Sequence, residues 1–318
     1  MYCPLSSRFQ SSLSFLTLTS QQQVLRYLSL LEARNYAEST LKAIVSSIKK
    51  LTNHLPDSRK AALADDLAQT TSQDITDFIG ASQKAGLQPS TINTNLSMLV
   101  EFFEFLREEG SMTHQPILRR RHRLPTPTTL PKPMNEADLA AFFKVIDSVR
   151  DRLIFLLMLR CGLRVSEVCA LSWEEIDLSA GTARINNGKG QVDRIVYLSA
   201  DVEQALKTWR AYKETGEYLF PSCIRKGSPL RRSMINVLMD GYLKTANVTK
   251  HYSPHCLRHT FATLLLNVGV PLEVLKELMG HRSIQMTLRY AQLYDATKRS
   301  QYDQAMTKIE KRQAVNGR

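Results

Sequence analysis

Cysteine is scarce in this chain. Its five cysteines, Cys3, Cys161, Cys169, Cys223 and Cys256, are odd in number and scattered. No Cys-x-x-Cys pair occurs, which excludes a disulfide framework and a zinc knuckle and suits a reducing, cytoplasmic setting. Long hydrophobic runs are missing too: nothing approaches the ~18 apolar residues of a membrane span. The opening "MYCPLSSRFQSSLSFLTLTS" is weakly apolar, but serines and threonines interrupt it and it has no charged leader of a signal peptide. Residues 1–19 are therefore expected to be a loose extension. Glycine (13) and proline (12) are few, and 43% of the residues are hydrophobic, so the chain can bury real cores and is not mainly disordered. Acidic side chains are in short supply, 30 against 42 Lys plus Arg, leaving a formal charge of +12. Such an excess points to a polyanionic partner, nucleic acid before membrane. At 318 residues, the length predicts two domains.

What is present reads first as helices. Over residues 20–110, apolar residues recur at helical spacing. Leu41, Ile44, Val45, Ile48 and Leu51 form one stripe, with Lys42, Lys49 and Lys50 off it. Ser72 is expected to cap a helix bearing Ile75, Phe78 and Ile79, and Ser90 one bearing Leu96, Leu99, Val100, Phe103 and Leu106. This is a small bundle whose outer lysines matter if one face meets DNA. Residues 111–133, "SMTHQPILRRRHRLPTPTTLPKP", read as a linker, since their prolines forbid a continuous helix. Its run Arg119, Arg120, Arg121, His122, Arg123 is either a solvated tether or a strap across phosphates, and so basic a chain favours the strap. A second domain over residues 134–299 opens with Asn135 as a cap, followed by Leu139, Phe142, Phe143 and Ile146 on one face. "RLIFLLMLRCG" is apolar nearly all round and predicts a buried helix ending at Gly162. Two β-prone runs around "NNGKGQ" predict a hairpin, and helical periodicity returns after residue 200. Residues 300–318 are a tail.

The chemistry concentrates in "SPHCLRHTFAT", residues 253–263. Ser253 and Pro254 signal a helix start, which places His255 in its first turn and Arg258 on the same face. A helix N-terminus with a histidine and an arginine suits a phosphate. His255 and His259 also have the i, i+4 spacing of a zinc helix. However, Cys256 stands where the essential Glu would be, and Arg258 between the histidines disfavours a nearby cation. The anion reading is preferred, with Cys256 and His259 as ordinary packing. Elsewhere, Arg164 follows the buried helix with Glu167 three residues on, Lys189 sits in the glycine-rich hairpin loop, and His281 follows Gly280 with Tyr290 nine residues later. Taken singly, these are a structural ion pair, a soluble loop lysine, a loop histidine and a half-buried tyrosine.

Taken in order, they resemble the tyrosine recombinase family of phage-type integrases and Xer-type recombinases. The motifs are Arg164 in "CGLRVSEVCAL", Lys189 in "NGKGQ", His255 and Arg258 in "PHCLRHTFAT", His281 in "MGHRSI" and Tyr290 in "TLRYAQL", with Glu167 as the acidic neighbour. The likeness spans roughly residues 20–300. It implies a mainly α fold with a small β-hairpin sheet (α+β), in which a helical N-terminal core-type DNA-binding domain and a catalytic domain form a C-shaped clamp on DNA. It also implies a mechanism. Tyr290 would attack phosphorus to give a 3′-phosphotyrosyl link and a free 5′-hydroxyl, conserving the bond energy so that no ATP is needed. Arg164, Arg258 and His281 would hold the phosphate oxygens. Lys189 would protonate the departing 5′-oxygen, and His255 would assist the tyrosine's proton transfer. Glu167 would orient His255 or an arginine. No metal and no other cofactor is implied. The expected partners are double-stranded DNA, a tetramer of this chain on two DNA sites, and accessory DNA-binding proteins; no membrane is involved. Arg119, Arg120, Arg121, Arg123, Lys42 and Lys49 are the candidate DNA contacts outside the catalytic set. Expected tasks are integration, excision or resolution of a bacterial mobile element, with Xer-like dimer resolution as the alternative. Rival readings are a type IB topoisomerase, a DNA-binding regulator without catalysis, for which Tyr290 would be superfluous, and a zinc hydrolase, which lacks its Glu.

Overall fold

A computed structural model describes residues 5–127, 130–186, 193–212, 217–222, 224–225, 227–291 and tail positions 302, 303, 306, 307 and 309. The chain divides into two compact units, residues 1–128 and 129–318. Among the described residues no helix is long and apolar enough to cross a membrane.

The first unit is helical: α1 (Leu18–Ala33), α2 (Glu38–Asn53), α3 (Asp57–Asp65), α4 (Ser72–Lys84), α5 (Pro89–Glu108) and the single turn α6 (Arg119–His122). The α2 stripe is buried throughout, as its period requires. Two helix starts differ from expectation, α4 by one residue and α5 by two. Thr71, not Ser72, caps α4, exchanging bonds with Asp74: Asp74 N–H to Thr71 Oγ1 at 3.2 Å and Thr71 N–H to Asp74 Oδ2 at 2.8 Å. α5 begins at Pro89, with Ser90 inside it.

Two segments expected to be loose are part of this unit. A 3₁₀ helix over Leu5–Leu13 leads into Leu16, and Phe9, Leu13 and Leu16 are buried in the first core. The intervening serines do not prevent this burial. The side chain of Gln21 then ties this segment to α1, donating to Leu16 O at 2.8 Å. The expected linker likewise folds back over residues 111–127. Met112 and Ile117 enter the core. His122 is buried, its Nδ1 accepting from the Leu118 N–H at 3.0 Å. Asn93 of α5 clasps Leu124 on both sides of its peptide, donating to its O at 2.8 Å and accepting from its N–H at 3.0 Å. The prolines prevent a long helix, but they leave apolar side chains and backbone groups that α5 satisfies. Arg119, Arg120, Arg121 and Arg123 stay exposed around the buried His122.

The second unit holds α7 (Glu136–Lys144), α8 (Val149–Arg160), α9 (Val165–Ala170), strands β1 (Ile176–Asp177), β2 (Thr182–Ile185) and β3 (Arg194–Tyr197), then α10 (Ala200–Tyr212), α11 (Arg232–Thr245), α12 (Pro254–Asn267), α13 (Leu272–Met279) and α14 (Ile284–Ala291). Asn135 caps α7 through Asp138 N–H at 2.8 Å. α8 is buried almost all round, packed by α10 and α12. The expected hairpin is β2–β3, with Ala183 opposite Val196; β1 extends it to a three-stranded antiparallel sheet. α12 starts with Pro254 as expected, but the Ser253 hydroxyl lies 3.8 Å from Cys256 Sγ rather than capping a backbone N–H.

Candidate active site

Arg164 stands immediately before α9, at the exit of the buried α8. Gly162 makes this turn at φ +63°, and a Cβ there would come within 2.5 Å of the Phe261 ring on α12. The end of α8 thus meets α12 at a distance only glycine allows. One turn into α9, Glu167 turns its carboxylate back. It accepts from the Arg164 N–H at 2.7 Å and from Arg164 Nη1 at 2.6 Å. It also takes both ends of the Arg194 guanidinium, at 2.9 and 2.8 Å. Arg194 opens β3 and donates Nε–H to Leu278 O at 3.0 Å. Gly280 ends α13 at φ +59°, and a Cβ there would press on the Arg194 side chain at 2.9 Å.

Arg258, on α12, is the largest fully buried side chain, and its guanidinium donates to the carbonyls of Gly162 and Met279. Arg164 Nη2 donates to Gly280 O at 3.1 Å. Both cations therefore grip the turn that leads to His281. His281 is buried, with Nδ1 2.9 Å from Thr287 Oγ1 on α14. Tyr290, also on α14, is only 4% exposed and packs with Phe261, Leu275 and Met279. Its ring lies parallel to that of His281, with centroids 6.3 Å apart. Its hydroxyl is 2.7 Å from Nδ1 of His259. His255, one turn before His259, sets its ring edge-to-face on it at 4.6 Å.

The electrostatics follow from burial and crowded cations. Burial alone would raise the Glu167 carboxyl, but bonding to Arg194 and to the Arg164 N–H, with the charges of both arginines, holds it down at about 2. Burial and the neighbouring Arg164 loosen the Arg258 proton to about 9, leaving it charged at neutral pH. Burial followed by adjacent positive groups lowers His259 to about 4 and His281 to about 3. His255 is lowered for the same reasons, although its edge reaches solvent. Burial raises the Tyr290 phenol, against the pull of Arg258, Arg289 and Arg164. Three guanidiniums, of Arg164, Arg194 and Arg258, face one carboxylate, Glu167, leaving a charge of +2 in a largely buried place. Such an excess is costly without an anion.

Arg164, Glu167, His255, Arg258, His281 and Tyr290 thus form one connected cluster. Glu167 engages the arginines rather than His255. Lys189 lies outside the described residues. In the first unit, Lys42 pairs with Glu38 at 2.6 Å and Lys49 lies over the Phe15 ring at 5.8 Å. Arg119 and Arg123 line a cavity of about 310 Å³ with Asn93, Thr94, Ser97 and Glu101. Two residues were missed. Arg194 carried no signal beyond its place at the foot of the hairpin. His259 had one, its i, i+4 spacing from His255: the two rings pack on each other, and His259 also reaches the Tyr290 hydroxyl. Among the described residues, no three His, Cys, Asp or Glu side chains are grouped to hold a metal ion.

Residues 132–297 match the phage integrase family, and residues 24–110 match the phage integrase N-terminal SAM-like domain. A tyrosine recombinase XerC of Bacillus subtilis is 29% identical over 283 residues, spanning 85% of this chain and 90% of its own. A tyrosine recombinase XerD of Ralstonia nicotianae is 33% identical over 236 residues, spanning 70% and 75%. Among solved structures, a lambda integrase dimer bound to a COC′ core site has a TM-score of 0.68 at 20% identity, covering 85% of this chain and 94% of that one. The Tn1549 transposon integrase in complex with a circular intermediate DNA has a TM-score of 0.67 at 21% identity, covering 86% and 95%. At these identities the structural likeness is one of fold.

Proposed function

Since the chain belongs to the phage integrase family and is a tyrosine site-specific recombinase, we propose that the buried cluster around Glu167 is its strand-cleavage site and Tyr290 its nucleophile. The observation that carries this reading is the +2 excess close to Tyr290, since a DNA phosphodiester brings the missing negative charge. Tyr290 Oη attacks phosphorus; the 5′-oxygen leaves; a 3′-phosphotyrosyl link conserves the bond energy for rejoining without ATP. Arg164 and Arg258 take the non-bridging oxygens, where charge grows in the transition state, exchanging the backbone carbonyls they now hold. His281 and His255 add hydrogen bonds to the same oxygens. Lys189 supplies the proton to the 5′-oxygen. Glu167 fixes Arg164 and is itself fixed by Arg194.

The partner in this reading is double-stranded DNA, bound by four copies of the chain on two duplexes, as a relative's structure, a lambda integrase tetramer bound to a Holliday junction, would suggest by analogy. The exposed arginines of residues 119–123 supply phosphate contacts in the first unit. The task is integration, excision or resolution of a bacterial mobile element, in the cytoplasm at the nucleoid. Xer-like dimer resolution is the alternative, and the curated relatives carry that name.

Covalent trapping tests the reading. The protein is incubated with nicked duplexes carrying the sequences that flank its own gene, without metal or ATP, and resolved on a denaturing gel. Wild type gives a 3′-linked adduct and Tyr290→Phe none; an adduct persisting in Tyr290→Phe refutes the assignment.

A further inference from the structure

The proton on the attacking tyrosine has to go somewhere, and family resemblance assigns it to His255. The geometry points elsewhere. Resting on the reading of Tyr290 as nucleophile, we propose that His259 is the catalytic base that receives the Tyr290 proton during cleavage and returns it during rejoining.

His259 Nδ1 lies 2.7 Å from Tyr290 Oη, within the reach a general base needs. The Tyr290 side chain is only 4% exposed and packs with Phe261, Leu275 and Met279, so bulk water has little access as an alternative acceptor. His255 touches the His259 ring, not the hydroxyl. Its exposed edge suits it to a phosphate oxygen instead.

A neutral imidazole with its hydrogen on Nε2 presents a lone pair at Nδ1. His259 is held neutral by burial and by His255 and Arg258 on its own helix and Arg289 on α14, so the acceptor form is the resting one. The same positive neighbours explain why transfer waits for DNA. In the bare protein an imidazolium at position 259 would add to the local excess of positive charge. A bound phosphodiester offsets that excess and strengthens the base when the nucleophile is needed. The step balances: the Tyr290 O–H bond breaks, its proton goes to His259 Nδ1, the Oη–P bond forms and the P–O5′ bond breaks, with the 5′-oxygen protonated by Lys189. Rejoining runs the same steps backwards.

The test is single-turnover cleavage of a nicked duplex by the full chain, with DNA binding measured in parallel. His259→Asn keeps a hydrogen-bonding group near the Nδ1 position but cannot accept a proton at neutral pH. Cleavage is expected to slow by about 10²-fold or more with DNA affinity unchanged. Replacing Tyr290 with a fluorotyrosine, whose phenol is more acidic, is expected to shrink the deficit of His259→Asn, because a readier proton needs less help. A merely structural role for His259 would leave that deficit unaltered. His259→Gln serves as the second variant should His259→Asn not fold. Cleavage by a folded variant within about threefold of wild type, or faster than wild type, overturns the proposal, as does a deficit that fluorotyrosine does not touch. A wild-type chain that forms no adduct overturns the parent reading and this one together; a wild-type adduct with an undiminished His259→Asn overturns this one alone.

Discussion

At Glu167 the carboxylate oxygens accept bonds from two arginine side chains and one backbone N–H. Replacing Arg194 removes two charge-assisted hydrogen bonds to Glu167 but leaves the carboxylate paired with Arg164 and lowers the local excess from +2 to +1, so the net cost should be about 1.5–3 kcal/mol. Arg194→Met should therefore lower the stability of the second unit by that order in denaturant unfolding, although Arg194 is not expected to touch DNA. A loss under about 1 kcal/mol would show that the pair is dispensable. Gly280→Ala combines left-handed backbone with pressure on Arg194, and is expected to cost about 1–2 kcal/mol from the backbone alone.

The histidines carry a pH dependence of opposite origin to an ion pair. In the unfolded chain they bind protons near 6.5, while in the fold His259 does so at about 4 and His281 at about 3. Above the unfolded value neither state holds the proton and stability is full. As pH falls through that value, the unfolded chain gains protons that the folded site refuses, and stability drops until the folded values are passed. Each tenfold weakening of proton binding is worth about 1.4 kcal/mol, so the loss should reach a few kcal/mol between about pH 7 and 4. Glu167, held at about 2, stays ionised in the fold across this window, but the unfolded carboxyl begins to bind protons near its ordinary 4.5, so Glu167 adds to the loss at the acid end. Thermal melts across the range measure it, and His281→Asn should flatten the curve.

Among the elements, the clasp of Asn93 on Leu124 decides whether residues 111–127 stay folded on α5. Asn93→Ala is expected to cost about 1 kcal/mol and to make Arg119–Arg123 a preferred trypsin site; unchanged digestion would argue against the clasp. This segment also marks where the sequence stops being legible. The α2 stripe, the buried α8 and the hairpin could be read because each repeats a period over its own length. Phe9, Leu13 and Ile117 belong to short pieces whose partners lie far along the chain, so no local pattern reveals their burial. The two-residue β1 is too short to carry a period. In the site, Arg164, His255, Arg258, His281 and Tyr290 were legible as an ordered set through the family resemblance. Arg194 and His259 were not, because their meaning lies in Glu167 and Tyr290, distant in sequence.

For the whole molecule, the +12 charge predicts DNA affinity that falls steeply with salt. Replacing Arg119, Arg120, Arg121 and Arg123 by Gln should reduce the slope of log affinity against log salt by about 0.9 for each phosphate no longer neutralised. Fluorescence anisotropy across a salt series measures this, and an unaltered slope would place those arginines off the DNA. Each unit has its own core, so residues 1–128 alone should melt as a cooperative helical fragment.

The carbonyls gripped by the arginines belong to residues 162 and 278–280, far apart in the second unit's sequence. Synthesis from the N-terminus therefore delivers Arg164 and Glu167 more than a hundred residues before the turn they must hold. While the chain is still on the ribosome, the cluster around Glu167 is physically unfinished, and Tyr290 is the last of its parts to emerge. A product of interrupted translation can carry the first unit's core complete and still lack the turn and the tyrosine that finish the Glu167 cluster.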